Sequence, residues 1–344
     1  MAENGASPLP PPTPASKPTP SSQPTPSSQP TPSSQPTPSS KPSPARSPLA
    51  RAEQFVWLTA RVLEQRLFAH LFRDASADPV ETALDAYRND DGGYGHGLEP
   101  DLRGPVSQPL HTIRALRVLD RIGRCGGQRV ERMCRSLTSM STAEGALPGI
   151  HPSRRGYPTA PFVPDVDDPP GELLPTGQAA GLLHRNAVWH AWLFRATEFC
   201  WQRIESLETS HPYEVEAAVM FLDAVPDRSR AEAAADRLGR LVRDHRLAAL
   251  DPGDLDACPV APGYAPGEHH FPHDYARTPD SLARAWFTDA EMSRSLDFLA
   301  AEQQDDGGWP VRWRHWAPMP ALEARGMVTV EALHTLRAYG RPVS

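Results

Sequence analysis

Apolar residues recur at helical spacing along most of the chain after residue 50. In residues 56–71, Val56, Leu63, Leu67 and Leu71 form one stripe, as the 3.6-residue period of a helix requires. The same spacing predicts helices over residues 80–87, 110–119, 130–140, 176–183, 191–204, 213–222, 231–247, 292–303 and 328–339. No segment alternates with period two, and the prolines lie mainly between the predicted helices. We therefore expect an all-α fold of five or six antiparallel helical hairpins.

One predicted helix ends in a segment with a readable local structure. Residues 299–310 have the sequence Leu-Ala-Ala-Glu-Gln-Gln-Asp-Asp-Gly-Gly-Trp-Pro. The paired glycines can take positive φ and stop the helix. Gln303 is placed to bond to carbonyls freed at the helix end. Trp309 can fold back over apolar surface while its indole N–H finds an acceptor.

The same segment occurs earlier in the chain. Residues 84–94 align with it position for position, with Arg88 in the place of Gln303 and Tyr94 in the place of Trp309. A weaker third copy ends at residues 144–148. A local structure used several times in one chain indicates an internal repeat.

These segments resemble those of known families. Residues 299–309 resemble the QW motif of squalene–hopene cyclases, which with protein prenyltransferase β subunits belong to a superfamily of α/α toroids. Residues 89–103, followed by Gln-Pro-Leu-His at 108–111, resemble actinobacterial proteins with prenyltransferase/squalene-oxidase repeats. The resemblance covers residues 50–344 and implies a single α/α toroid, with inner and outer helices around a central cavity. It implies a fold and not a reaction.

The first 49 residues differ from the rest in composition. They repeat Pro-Thr-Pro-Ser-Ser-Gln and contain almost no large apolar residues, so burial cannot offset the entropy of ordering them. We expect a disordered tail over residues 1–49 and one folded domain over residues 50–344. The tail lacks the apolar core of a secretory signal, which favours a cytoplasmic protein.

Charge, hydropathy and cysteine spacing give expectations for nucleic-acid binding, membrane insertion and the redox state of the thiols. The net charge of −7, without a basic stripe carrying interleaved aromatics, gives no sign of a nucleic-acid partner. No apolar run is long enough to span a membrane. Without paired spacing, the cysteines are expected to be reduced thiols. They are Cys125, Cys134, Cys200 and Cys258.

The first candidate for chemistry is an acidic motif. Asp165-Val-Asp167-Asp168 is similar to the Asp-x-Asp-Asp motif of class II terpene cyclases. The resemblance implies that Asp167 protonates an alkene while Asp165 and Asp168 support it. Neighbouring carboxylates keep one such group protonated by raising its pKa. The cyclases typically continue with Thr or Ser, whereas Pro169 and Pro170 follow here, and a solvated acidic loop is the structural alternative.

The second candidate is a metal site, the alternative to our expectation that no cofactor binds. Asp256, Cys258 and the distant His334 are similar to the zinc ligands of protein prenyltransferase β subunits. Zinc accepts O, S and N ligands and would activate a thiolate toward an allylic diphosphate. A buried cysteine with surface histidines is the structural alternative. Further candidate nitrogen ligands are His269, His270 and His273.

The third candidate is a polar loop that follows the first Gly-Gly turn directly. In a toroid such a turn leads the chain toward the mouth of the inner ring, so these side chains are expected at the cavity entrance. The polar density of the loop exceeds what the fold needs. The candidate ligand-binding residues are His96, Glu99, Asp101, Arg103, Gln108 and His111, together with Trp309.

Aromatic residues are concentrated in residues 189–201 and 286–316. Aromatic walls stabilise carbocations by cation–π attraction, and they also fill the space between helical hairpins. We therefore predict that the toroid binds an apolar isoprenoid ligand in its central cavity. Acid-initiated cyclisation is favoured over diphosphate transfer, because the acidic motif is contiguous and no Asp-Asp-x-x-Asp magnesium motif occurs.

Three alternatives stay open. They are a zinc-dependent prenyltransferase-like protein, a non-catalytic toroid that binds a ligand or a protein, and a carbohydrate-active α/α barrel with two acting carboxylates. A deep apolar cavity favours the isoprenoid ligand. A shallow groove with facing carboxylates favours a sugar, and a cavity filled by side chains favours the non-catalytic protein.

Overall fold

The structure, a computed structural model, describes residues 47–343. Over this range the backbone forms twelve α-helices and three short 3-10 helices, with two isolated β-bridges, so the expected all-α fold is confirmed. The α-helices are α1 (Pro48–Thr59), α2 (Val62–Arg73), α3 (Asp78–Asp85), α4 (Pro109–Arg121), α5 (Gly127–Met140), α6 (Leu173–Arg185), α7 (Ala191–Ser206), α8 (Pro212–Leu222), α9 (Arg228–Asp244), α10 (Pro272–Tyr275), α11 (Asp289–Ala301) and α12 (Pro318–Ala338). The 3-10 helices span Pro152–Arg154, Leu255–Ala257 and Leu282–Trp286.

The first helix begins at Pro48, two residues before the boundary expected at residue 50. The Ser47 hydroxyl caps it by accepting the N–H of Ala50 at 3.3 Å. The backbone N–H of Leu49 donates to the carbonyl of Val343 at 2.7 Å, so both ends of the described chain meet. The disordered tail predicted for residues 1–49 otherwise lies outside the described residues.

The stripe over residues 56–71 predicted one helix where the structure has two. The chain bends at Ala60 and Arg61, which both have extended backbone with ψ of 157° and 158°. The Arg61 guanidinium donates to the carbonyls of Gly97 and the next residue at 3.0 and 3.1 Å, and to the Glu64 carboxylate. These long-range contacts, which sequence periodicity does not report, hold the bend.

Helix α12 begins at Pro318, well before the start predicted at residue 328. Prolines in the first turn of a helix leave no backbone donor unsatisfied, so Pro318 and Pro320 are compatible with this start. Gly326 lies within the helix because Ala60 packs against it. A Cβ at Gly326 would lie 2.8 Å from the Cβ of Ala60.

The helices close into a ring. Helices α4, α6 and α8 pack side by side, and α10 and α11 continue the contacts from α8 to α12. Helix α12 then packs against α1 and α2, at the start of the described chain. Helices α5, α7 and α9 pack on α4, α6 and α8 and contribute nothing to the cavity inside the ring. This alternation is the expected single α/α toroid.

Three turns of the ring share one backbone pattern, as an internal repeat requires. At the last turn the N–H of Gly307 donates to the carbonyl of Gln304, and the N–H of Gln304 donates to the carbonyl of Gly308, both at 2.9 Å. The same pair of hydrogen bonds closes the turns over residues 89–93 and 142–146. The two Gly-Gly turns therefore occupy equivalent positions, as predicted.

The turn glycine is where each of these turns touches an outer helix. Gly307 has φ 94°, and a Cβ there would lie 2.2 Å from the carbonyl oxygen of Arg51 in α1. The equivalent contacts join Gly92 to Arg132 of α5 and Gly145 to Arg195 of α7. Helix α1 therefore stands in the last repeat where α5 and α7 stand in the first two, and this closes the ring.

The residue after each turn is fixed by a threonine of the next inner helix. The backbone N–H of Trp309 donates to the hydroxyl of Thr329 at 3.0 Å. The equivalent bonds join Tyr94 to Thr112 at 3.2 Å and Leu147 to Thr176 at 2.8 Å. Trp309 is 1% exposed, and its indole N–H donates to the carbonyl of Leu299 at 2.7 Å. This is the folding back that the sequence predicted.

Two further expectations concern the whole domain. Among residues 47–343, none of the helices combines the length and the apolar character needed to cross a lipid bilayer. The four cysteines are buried, and none is bonded to another in the structure.

Candidate functional site

A cavity of about 700 Å³ lies inside the ring. Helices α4, α6, α8, α10 and α12 line it, together with the chain just after both Gly-Gly turns and the loop over residues 262–270. This volume is within the range of small-molecule sites in proteins. The inner helices therefore enclose open space rather than a core filled by side chains.

One part of the cavity wall is apolar. Its side chains are Leu110, Ile113, Phe162, Leu174, Leu299, Trp309, Pro310, Trp313, Ala321, Ala324, Met327, Val328 and Ala332. Such a surface binds hydrocarbon by excluding water and by dispersion. Trp309, predicted to contact a ligand, lies on this wall.

The loop after the first Gly-Gly turn brings two carboxyl groups to the cavity. Glu99 and Asp101 both line it. The loop is held there by His111, a buried residue of α4 whose Nδ1 accepts the backbone N–H of Glu99 at 2.9 Å. This bond also places the ring proton of a neutral His111 on Nε2.

The other predicted residues of this loop do not line the cavity. Arg103 turns toward Glu323 and pairs with it at 2.9 Å. His96 is exposed. Gln108 is buried and hydrogen-bonds to the turn at residues 151–153, so its role is to connect two loops.

Burial shifts the pKa values of Glu99, Asp101 and His111. Burial raises the pKa of Glu99, and the nearby Arg114 and Arg117 offset this only in part. The Glu99 side chain makes no hydrogen bond or ion pair with other residues in the described part of the chain. Burial likewise raises the pKa of Asp101, and burial together with nearby cations lowers the pKa of His111 to about 3. The site thus joins two carboxyls whose pKa is raised to an imidazole whose pKa is lowered.

The Asp165–Asp168 group lies outside the cavity, which corrects its assignment as the proton donor. The side chains of Asp165 and Asp167 are 62% and 92% exposed and pair with Arg155 at 2.9 and 2.6 Å. Asp168 is exposed as well. The hydrogen bond from Arg155 lowers the pKa of Asp165, opposite to what an acid catalyst needs. The proline-rich loop follows the surface, so three acids in sequence do not share a buried site.

The three candidate zinc ligands do not come together either. Cys258 is buried, its thiol donates to the carbonyl of Arg246 at 3.2 Å, and burial raises its pKa. Asp256 is exposed, and Nε2 of His334 lies 2.5 Å from the Arg121 guanidinium. Over residues 47–343, no three His, Cys, Asp or Glu side chains are grouped to hold a metal ion.

A second group of ionisable side chains lines the cavity and was not predicted as a site. Its members are Tyr213, Glu216, Tyr264, Glu268, His270, His273, Asp274 and Arg277. They come together because α10 packs against α8 and the loop before α10 carries Tyr264 and Glu268. The density of histidines in residues 269–273 was the available signal, although in sequence these histidines suggest metal ligands.

Within this group, Tyr264, His270 and Glu216 form a chain of contacts. Nε2 of His270 lies 3.5 Å from the Glu216 carboxylate, which favours the tautomer protonated there. Nδ1 is then free to accept the Tyr264 hydroxyl at 2.6 Å. Burial opposes ionisation of Glu216, but Arg277 at 2.8 Å and then His270 lower its pKa to about 2. A fixed carboxylate thus orients an imidazole, as in sites that transfer protons.

The neighbouring His273 and Asp274 serve the fold of α10. The Asp274 carboxylate accepts the backbone N–H of Phe271 at 2.8 Å. Nδ1 of His273 lies 2.6 Å from the Ser295 hydroxyl, and burial lowers the pKa of this histidine to about 4. Both side chains thereby fix the short helix that carries them.

The chain matches no protein-family model and no curated protein. Among solved structures it is similar to the type II terpene cyclase MstE from Scytonema. An unliganded MstE variant has TM-score 0.48 and 12% identity, over 84% of this chain and 86% of that chain. Unliganded MstE has TM-score 0.47 and 12% identity, over 84% and 88%.

Another MstE variant was solved in complex with geranylgeranyl dihydroxybenzoate, its substrate. Here the TM-score is 0.44 and the identity 12%, over 85% of this chain and 87% of that chain. At 12% identity, a shared fold does not imply a shared reaction.

Proposed function

We propose that the protein binds an isoprenoid chain in the central cavity and that Glu99 donates the proton that starts its cyclisation. The supporting observation is the Glu99 carboxyl, which lies on the cavity wall and makes no hydrogen bond or ion pair within the described part of the chain. Burial raises its pKa. Protonation of an alkene needs an acid held in its neutral form against an apolar ligand.

The apolar wall supports this ligand class. It combines aliphatic side chains of α4 and α12 with the rings of Phe162, Trp309 and Trp313. Aromatic rings stabilise a nearby cation by about 0.5–2 kcal/mol each. A carbocation formed on a folded isoprenoid would therefore meet a favourable surface, and the resemblance of residues 299–309 to the QW motif agrees with this ligand class.

The reaction is balanced if the proton returns to the protein. Transfer of the Glu99 proton to an alkene breaks one C=C bond and leaves a carbocation, which forms ring bonds with further alkenes. Loss of a proton from the final cation restores one C=C bond, so the product is an isomer of the substrate. Tyr264 is the group on the cavity wall best placed to accept this proton, because its hydroxyl can pass its own proton to Nδ1 of His270.

The alternatives have less support. The zinc-dependent reaction lacks a grouped set of ligands among residues 47–343. A carbohydrate-active site would need a second free carboxylate facing Glu99. Glu216 and Glu331 are instead paired with arginines, and the Asp165 group is on the surface. Asp101 does line the cavity, but it follows Glu99 on the same loop, and burial raises its pKa like that of Glu99. A non-catalytic ligand-binding toroid differs from our proposal only in the absence of turnover, which the experiment below measures.

The test is incubation of the purified protein with squalene, geranylgeraniol and geranylgeranyl diphosphate in D2O. Mass spectrometry should detect an isomer of one substrate that has gained a single deuterium at the protonated carbon. Glu99→Gln keeps the size of the side chain and removes the acid, so it should bind the substrate and lose conversion by about 100-fold or more.

Asp167→Asn is the matched control, since this exposed carboxyl lies outside the cavity and should leave conversion unchanged. Full conversion by the Glu99→Gln protein would contradict the role of Glu99. Tight binding of all three isoprenoids without any product would favour the non-catalytic toroid.

A further inference from the structure

We propose that the ligand of the cavity carries a negatively charged group, a carboxylate or a phosphate, which Arg114 and Arg117 hold. The inference rests on the proposed function in one respect, that the same cavity holds the apolar chain of this ligand. It adds a second binding subsite, on α4, to the apolar wall and the acid.

Arg114 is a buried cation without a close partner. The residue is 6% exposed and lines the cavity. Its nearest carboxylate is that of Glu64 at 3.9 Å, which already accepts hydrogen bonds from Arg61 at 3.0 and 2.7 Å. The Nε–H of Arg114 is buried and has no acceptor among the described residues. A buried donor without an acceptor lowers the stability of the protein, and a ligand that supplies the acceptor removes this cost.

Arg117 lies on the same face of α4, three residues further on, and also lines the cavity. Within the described chain it forms no ion pair, and its guanidinium has only the Met220 sulfur as a weak acceptor, at 3.7 Å. Burial lowers the pKa of Arg117, whereas the charges of Glu331 and Glu216 raise it, and Arg117 in turn offsets part of the raised pKa of Glu99. Glu216 pairs with Arg277 at 2.8 Å and Glu331 pairs with Arg121 at 2.6 Å, so both are already engaged.

Two networks of ion pairs reach the part of the cavity that Arg114 and Arg117 line. The ion-pair networks that reach it contain more arginines than glutamates, and Arg117 stands outside both networks. The arginines of the networks are Arg61, Arg103, Arg114, Arg121 and Arg277, and their glutamates are Glu64, Glu216, Glu323 and Glu331.

An anionic group on the ligand would pair with both arginines and would also balance their charge. Side chains three residues apart on a helix lie about 5–6 Å apart at Cβ, so two guanidinium forks can converge on one carboxylate or phosphate. The bound anion would also neutralise charge that otherwise destabilises a carbocation formed near Glu99. The polar end of the ligand is thus assigned to α4, and the hydrocarbon chain to the wall between α4 and α12.

The experiment compares ligands that share one geranylgeranyl chain and differ in their polar end. Geranylgeraniol is neutral, geranylgeranoic acid carries a carboxylate, and geranylgeranyl phosphate carries a phosphate. Quenching of tryptophan fluorescence gives the dissociation constant of each. We expect at least one anionic ligand to bind about tenfold more tightly than the alcohol, and the better of the two identifies the group.

Arg117→Met and Arg114→Met should each abolish this preference while leaving the affinity for the alcohol within about threefold. Arg124→Met, at a residue whose side chain is 48% exposed, is the matched control and should keep the preference. Equal affinity of the intact protein for all three ligands would overturn the inference and leave the proposed function standing. Failure of all three to bind, with squalene also unbound, would overturn both.

A second measurement does not depend on ligand choice. Because Arg117 is partly buried without a carboxylate partner, Arg117→Met should keep or raise the melting temperature of the ligand-free protein. A buried charged residue that is retained for ligand binding commonly lowers the free energy of unfolding of the ligand-free protein. A melting temperature several degrees lower in Arg117→Met would show that the guanidinium stabilises the fold, and would contradict a binding role.

Discussion

The side-chain amide of Gln303 donates to the carbonyl oxygen of Pro48 at 2.8 Å, across 255 positions of sequence. The same amide nitrogen donates to the carbonyl of Gly307 at 2.9 Å, and the amide oxygen accepts from Arg51. Gln303 thus joins the last Gly-Gly turn to the first helix. The sequence predicted that it would bond to carbonyls at its own helix end, whereas the structure uses it to close the ring.

Gln303→Ala should therefore destabilise the protein by about 1–3 kcal/mol, since it removes hydrogen bonds that join the two ends of the domain. Gln304→Ala is the matched control, because the neighbouring glutamine is exposed and its side chain has no such contacts. Urea unfolding of both variants measures the difference. Similar midpoints for the two would mean that the contact with Pro48 adds no stability.

Trp309 anchors the last turn by packing. Its ring is 1% exposed, so Trp309→Ala should lower the free energy of unfolding by about 3–5 kcal/mol. Asp305→Ala, in the exposed part of the same turn, should change it far less. A melting temperature of Trp309→Ala close to that of the Asp305 variant would rule out an anchoring role.

Thr329 should matter for its hydroxyl rather than for its shape. Thr329→Val keeps the volume but removes the acceptor of the Trp309 N–H, so we expect a loss of about 1–3 kcal/mol. The corresponding change at Thr112, which accepts the N–H of Tyr94, should have an effect of the same sign. Hydrogen exchange should show faster exchange at the amide after the altered turn. Unchanged exchange in both variants would contradict an equivalent role of the two threonines.

The local part of this fold was predictable from the sequence. The Gly-Gly turns and the buried position of Trp309 depend on residues a few positions apart, and the predictions for them hold. The Thr329 contact was not predictable, because each turn and its threonine are separated by 18, 20 or 29 residues in the three repeats. Only the ring brings them together.

The candidate site, too, was predictable only where its residues lie close together in the sequence. Glu99 and Asp101 were found because they directly follow a turn whose direction was known. The Asp165–Asp168 motif was misassigned because its pattern of three acids is equally compatible with a solvated loop paired to Arg155. The contact between His270 and Glu216 joins a loop to α8, and no periodicity in the sequence reports such a pair.

The folded protein should lose stability as the pH falls from about 6.5 to about 5. Burial is the main cause that lowers the pKa of His273 to about 4 and that of His111 to about 3. Because a histidine in the unfolded chain has a pKa near 6.5, the unfolded state binds more protons throughout this interval, and the free energy of unfolding decreases with falling pH. His273→Gln should reduce this slope by up to about 1.4 kcal/mol per pH unit, measured by urea unfolding at several pH values. His245→Gln, at an exposed residue, should leave it unchanged, and equal slopes in all three proteins would contradict a buried neutral His273.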